Sequence, residues 1–107
     1  MESIIVGNIF LPGENNKEEF FETILAQENF SVERIISEGH SSPQDFWYNQ
    51  DKNEFVVLVS GAAKLKFDDN KIVDLKPGDF LIIPAHKKHR VEWTDPNQKT
   101  FWIALHY

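Results

Sequence analysis

The chain has 107 residues, enough for one domain with a single core, and its 41% hydrophobic and 26% charged residues are ordinary globular values that exclude a disordered chain. It contains no cysteine, which excludes disulfides, thiol catalysis and thiolate metal sites, and a formal net charge of −6 argues against a nucleic-acid partner, which needs a basic stripe. No apolar run is long enough to span a bilayer, and MESIIVGNIFLPGE has an acidic second residue and no basic n-region, so the expectation is a cytoplasmic protein with no membrane partner.

In chain order, SIIVGNIFLP reads as an arm or an edge strand. NNKEEFFETILAQ predicts a short helix, with Asn15 or Asn16 as cap, Glu18 and Glu19 in the first turn, and Phe20, Phe21, Ile24 and Leu25 on one apolar face. The period then changes to two. FSVERIIS is a strand ended by the Gly39 turn, and EFVVLVSG is apolar on both faces, as a central enclosed strand is. AAKLKF alternates cleanly; Asp68-Asp69-Asn70 makes a hairpin turn into KIVDL, and Lys76-Pro77-Gly78-Asp79 a tight turn into FLIIP. RVEWT, the loop DPNQK and the closing strand TFWIALHY complete the chain. At least six short strands punctuated by turns predict an all-β sandwich or barrel, with the helix outside it. Nine Phe, three Trp and two Tyr suit a filled barrel interior or a pocket wall.

Two spacings carry a family signal. Glu54, six residues, Gly61 is one; Gly78, five residues, Pro84, then His89 is the other. Together with the strands between them they resemble the two motifs of the cupin superfamily, small jelly-roll β-barrels, over roughly residues 30–107. The phrases FWYNQDKNEF and IPAHKKHRVEWT are similar to small stand-alone bacterial members of the conserved-barrel type. The resemblance implies a single jelly-roll barrel at 30–107, with residues 1–29 as an N-terminal arm and short helix packed on it.

The departures from the family pattern bear on the chemistry. The family's first motif has a His-x-His pair before the Glu; here those positions fall on Tyr48 and Gln50, or on Trp47 and Asn49 by the longer spacing. The second motif's turn Gly is His86 and its final Asn is Trp93. The three-His, one-Glu metal centre that the resemblance implies is thus reduced to Glu54 and His89. One divalent ion (iron, manganese, nickel or zinc), or none, is the cofactor expectation, with Gln50, His106 or His86 as additional donors.

Strand parity ranks these candidates. His89, Val91 and Trp93 share one face, so His89 points inward; His86 lies in the turn before the strand, a place for positive φ; His106 alternates with Trp102 and Ala104. Glu54 in NEFVVLV is costly to bury alone and has to be paired, bound or solvated. Trp47, Tyr48, Asn49, Gln50 and His40 are candidates to line a ligand site at the barrel mouth, and Lys87, Lys88 and Arg90 form a local basic cluster. Three functions fit: a small-molecule-binding or sensing barrel with a degenerate or non-standard metal site, a metal-dependent dioxygenase or isomerase using His89 and Glu54, or a non-catalytic structural barrel. A homodimer with the N-terminal arm as interface strand is the partner expectation.

Overall fold

The structure is a computed structural model that describes residues 3–11 and 18–107. The described residues form eight strands and no helix: β1 Phe20–Ala26, β2 Ser31–Ser37, β3 Glu54–Ser60, β4 Ala63–Phe67, β5 Ile72–Leu75, β6 Phe80–Ile83, β7 His89–Thr94 and β8 Thr100–His106. They make a five-stranded sheet of order β1-β2-β8-β3-β6 facing a three-stranded sheet of order β5-β4-β7, every neighbouring pair antiparallel. No described element is a helix able to cross a membrane.

The expected N-terminal helix is corrected to a strand. Its Asn15 and Asn16 caps lie outside the described residues, but Phe20–Ala26 pairs with β2 as an edge strand, closed by a turn in which Gln27 N donates to Phe30 O at 2.8 Å. Phe20, Phe21, Thr23 and Ile24 are residue types that favour a pleated surface, and pairing with β2 outweighs the helical spacing of the apolar positions. Ile24 is an unpaired bulge residue, because Thr23 faces Glu33 and Leu25 faces Val32.

Alternation places the core. Val56 and Leu58 of β3, Ala63, Leu65 and Phe67 of β4, Leu75, Ile83, Trp102 and Ala104 pack between the sheets. Leu58 is fully buried, and a buried side chain of that kind contributes ~1.5–3 kcal/mol by leaving water. Gly61 turns β3 into β4 at φ 101°, and a Cβ there would sit 2.6 Å from Thr100 Cα, so the chain passes Thr100 too closely for any other residue.

A second bulge changes the reading of β7. Lys64 faces Trp93 while Leu65 faces Val91, which leaves Glu92 as an extra residue. The alternation beginning at His89 and Val91 is therefore broken. Trp93 turns outward, 39% exposed with Lys64 Nζ 5.8 Å from its ring, and Thr94 turns inward and donates from Oγ1 to His40 O at 2.6 Å. On the outer face of the large sheet, buried Arg34 ties down residues 9–11. It donates to Glu22 Oε1 at 2.6 Å and to the carbonyls of Ile9 and Leu11 at 3.2 and 2.5 Å, and Phe10 meets the Phe101 ring edge-on at 5.1 Å.

Candidate functional site

The inner faces of both sheets meet at one cavity of about 70 Å³. Glu54, at the start of β3, lies between Ile83 on one neighbouring strand and His106 on the other, and its inward position buries it to 7% exposure. His89 opens β7 on the facing sheet and is equally buried. Across the barrel, His89 Nε2 stands 3.4 Å from Glu54 Oε1, so the two motif residues meet as their positions imply.

Several contacts fix the His89 ring. Its Nδ1 lies 2.9 Å from Lys87 O, and since a carbonyl only accepts, Nδ1 carries a proton and donates. Tyr48 stacks on one side at 5.5 Å and Phe67 tilts against it at 6.1 Å. Tyr48 is held by a two-way backbone bridge to His89, with N–O distances of 2.7 and 3.2 Å. With Nδ1 occupied, neutral His89 offers only a lone pair at Nε2. Glu54 Oε1 is itself a buried acceptor with no hydrogen-bond partner among the described residues. Two acceptors facing each other are unstable unless a proton, or a bound donor or cation, stands between them.

The bridge decides which spacing of FWYNQ matters. Tyr48 and Gln50 line the cavity, whereas Trp47 and Asn49 do not; Asn49 is at the surface and accepts from His86 Nδ1 at 2.9 Å. His86 is exposed at φ 65°, the turn conformation expected of it, and stands outside the lining. The positions matching the family's metal ligands are accordingly Tyr48, Gln50, Glu54 and His89. This set does not fit a three-imidazole, one-carboxylate centre, and among the described residues no three His, Asp or Glu side chains are grouped to hold a metal ion. His106 faces inward but is engaged by Glu33, Nε2 to Oε1 at 3.3 Å; that bond holds its pKa above the ordinary imidazole value, against the opposing effect of burial. His40 is half-buried and does not line the cavity, and its Nδ1 accepts from Glu38 N at 2.8 Å.

Two acidic lining residues, Glu19 and Glu33, were not among the sequence candidates. Glu33 alternates with Ile35 and Ser37 in FSVERIIS, so parity alone marks it as an inward carboxylate. Nothing local marks Glu19, which enters the barrel only because β1 is a strand. It accepts a hydrogen bond from Ser37 Oγ, which in turn accepts from Trp102 Nε1 at 3.0 Å. Burial pushes the Glu19 carboxyl above the usual carboxylate range, the Ser37 hydroxyl partly opposing it. The Tyr48 phenol is likewise raised, first by burial and then by the charges of Glu19, Glu54 and Glu33. The basic cluster is occupied elsewhere: Lys87 pairs with Asp68 at 2.9 Å, and Arg90 donates to the carbonyls of Ser42 and Pro43.

Comparison with known proteins agrees with this architecture. A protein of Ralstonia eutropha JMP134, provisionally named a mannose-6-phosphate isomerase, is 40% identical with a TM-score of 0.89, over 96% of this chain and 97% of that one. A cupin superfamily protein of Desulfitobacterium hafniense DCB-2 shares the fold at 17% identity and a TM-score of 0.75, over 92% of this chain and 84% of that one. An L-ectoine synthase of Rhodococcus erythropolis is 48% identical over 40 residues, 36% of this chain, and the match spans only 30% of that curated relative's length. The family model described as the cupin domain matches residues 33–105, well over half of the chain. With its jelly-roll strand order and its motif residues Glu54 and His89 meeting in the barrel, the chain belongs to the cupin-domain family.

Proposed function

We propose that this protein binds a small molecule inside its barrel, at a site where the family's metal centre has been reduced to Glu54 and His89. The observation that carries the reading is a cavity of about 70 Å³ beside a buried carboxylate oxygen that makes no hydrogen bond in the described chain, its nearest partner being the His89 ring nitrogen at 3.4 Å. A barrel kept for structure alone gains nothing from a buried carboxylate oxygen that makes no hydrogen bond. The relative's provisional name points to a sugar phosphate, but three carboxylates enter this cavity and no lysine or arginine of the described residues lines it, which disfavours a phosphate ester there. The test is a screen of fragments of a few heavy atoms, read by NMR at the Trp102 indole, with Ile83→Phe as the filled-cavity control. Binding is expected in the wild type and lost in the variant; a wild type that responds to nothing sinks the reading.

A second reading, a divalent ion held at the same pair, is favoured by the His89 Nδ1–H bond to Lys87 O, the orientation given to metal-binding imidazoles. Elemental analysis of protein purified without added metal, then reloaded with iron, manganese, nickel or zinc, checks it; a metal-dependent enzyme requires a stoichiometric ion.

We also infer a homodimer. The outer face of β3 and β6 leaves Phe80 and Ile82 about 60% exposed next to Phe55, and the arm presents Ile4, Ile5 and Val6 almost wholly to solvent. A second copy covers both with the least new chemistry. Sedimentation should show a dimer that Ile82→Glu dissociates, and a monomeric wild type would refute it.

A further inference from the structure

The charge of the cavity points to its ligand. Glu19 from the segment before β1, Glu33 from β2 and Glu54 from β3 converge on one space, and no lysine or arginine of the described residues lines it. The positive charge at hand is imidazole: His89 faces Glu54, His106 holds Glu33, and His40 acts on Glu19. With the three carboxylates ionised, the space is net negative whenever any one of these rings is neutral. The Tyr48 phenol at this wall is raised first by its burial and then by the charges of Glu19, Glu54 and Glu33, as their shared placement around the cavity requires.

The three carboxylates are not equivalent. Glu19 is engaged by Ser37 and Glu33 by His106, whereas Glu54, with nine-tenths of its side chain buried, keeps Oε1 without a hydrogen bond. That oxygen is the acceptor left for a ligand. Apart from Tyr48, Gln50 and His89, the rest of the wall is largely apolar, with Ile35, Val56, Leu65, Ile83 and Val91 around it. A hydrated metal ion would leave these side chains unused, and among the described residues no three His, Asp or Glu side chains are grouped to hold one, whereas an anion is repelled. An ammonium group on a short hydrocarbon satisfies both halves of the wall.

Resting on the reading of the barrel as a small-molecule site, we propose that its ligand is a small organic cation, an alkylammonium whose N–H groups reach Glu54 Oε1. The cavity sets the size of the enclosed part. At about 70 Å³ it is roughly half the volume of a cavity that holds benzene, which gives about three or four heavy atoms.

The experiment uses the intact protein labelled with ¹⁵N and follows the indole resonance of Trp102, whose Nε1 reports on the Ser37–Glu19 relay. At constant ionic strength it is titrated separately with n-propylammonium chloride, 1-propanol, sodium propionate and manganese chloride. Propylammonium is expected to bind about tenfold or more tightly than propanol, with propionate weakest. Glu54→Gln, shown to be folded by its dispersed spectrum, should reduce that preference to about threefold or less without weakening propanol. Propanol or propionate binding as well as propylammonium in the wild type overturns the cationic ligand and leaves small-molecule binding standing. No response to any of the three organic probes overturns both. Equimolar manganese that broadens the Trp102 signal and blocks propylammonium assigns the cavity to a metal and overturns the proposal. An undiminished preference in Glu54→Gln removes Glu54 from it.

Discussion

Glu54→Gln also tests whether the buried carboxylate is there for binding or for folding. In the wild type, Oε1 is buried without a hydrogen bond, 3.4 Å from an imidazole nitrogen whose ring already donates from the other side. An unsatisfied buried acceptor costs ~1–3 kcal/mol, and glutamine removes that cost while offering an N–H to His89 Nε2. Against this stands the ion pair that a protonated His89 would make. Breaking a buried pair that was holding the fold together costs ~3–5 kcal/mol, so the two accounts predict opposite signs. If Glu54 serves the ligand, Glu54→Gln should gain ~1–2 kcal/mol in the absence of ligand. For a domain of this length that raises Tm by about 4–9 °C. The assay is thermal and urea unfolding of both proteins at pH 8, with no small molecule added. A Tm lowered by about 10 °C or more would refute the reasoning and make Glu54–His89 a structural pair.

Other consequences follow from single contacts. Ser37→Ala leaves Trp102 Nε1–H and the Glu19 carboxyl without their shared hydroxyl and should cost roughly 1–3 kcal/mol in urea unfolding; a neutral result would break the relay argument. Gly61→Ala forces a methyl against Thr100 Cα at positive φ and should cost about 3 kcal/mol or more. Gly78→Ala, with φ 93° and open space around it, should cost about 1 kcal/mol, and equal losses would contradict the packing described. The Glu33 bond raises the His106 pKa, so the folded state holds that proton to higher pH than the unfolded chain does. The stability it contributes is present in full below about pH 6.5 and is lost as pH rises through the folded value. Between about pH 5.5 and 8.5 the wild type should therefore lose more unfolding free energy than Glu33→Gln; parallel losses would refute the linkage.

Much of this molecule is legible in its sequence, because period-two alternation and turn chemistry act locally. The strands from Ser31 onward, the turns at Asn70 and Gly78 and the positive φ of His86 follow from residues within a few positions of each other. The spacing of Glu54, Gly61, Pro84 and His89 is local too, and it carried the family and the meeting of Glu54 with His89. Three features were decided only by tertiary structure. Phe20–Ala26 has apolar residues at helical spacing and becomes a strand because the open edge of β2 offers it a ladder of hydrogen bonds. Trp93 leaves the interior because an extra residue at Glu92 breaks the alternation, and a bulge shows itself only against the partner strand. Glu19 enters the cavity for the same reason that β1 exists, and its arrival beside Glu33 and Glu54 gathers three carboxylates around one space. Sequence periodicity assigns each side chain to a face of its own strand; which charges then share one enclosed space depends on how the strands pair, and pairing is a property of the whole fold.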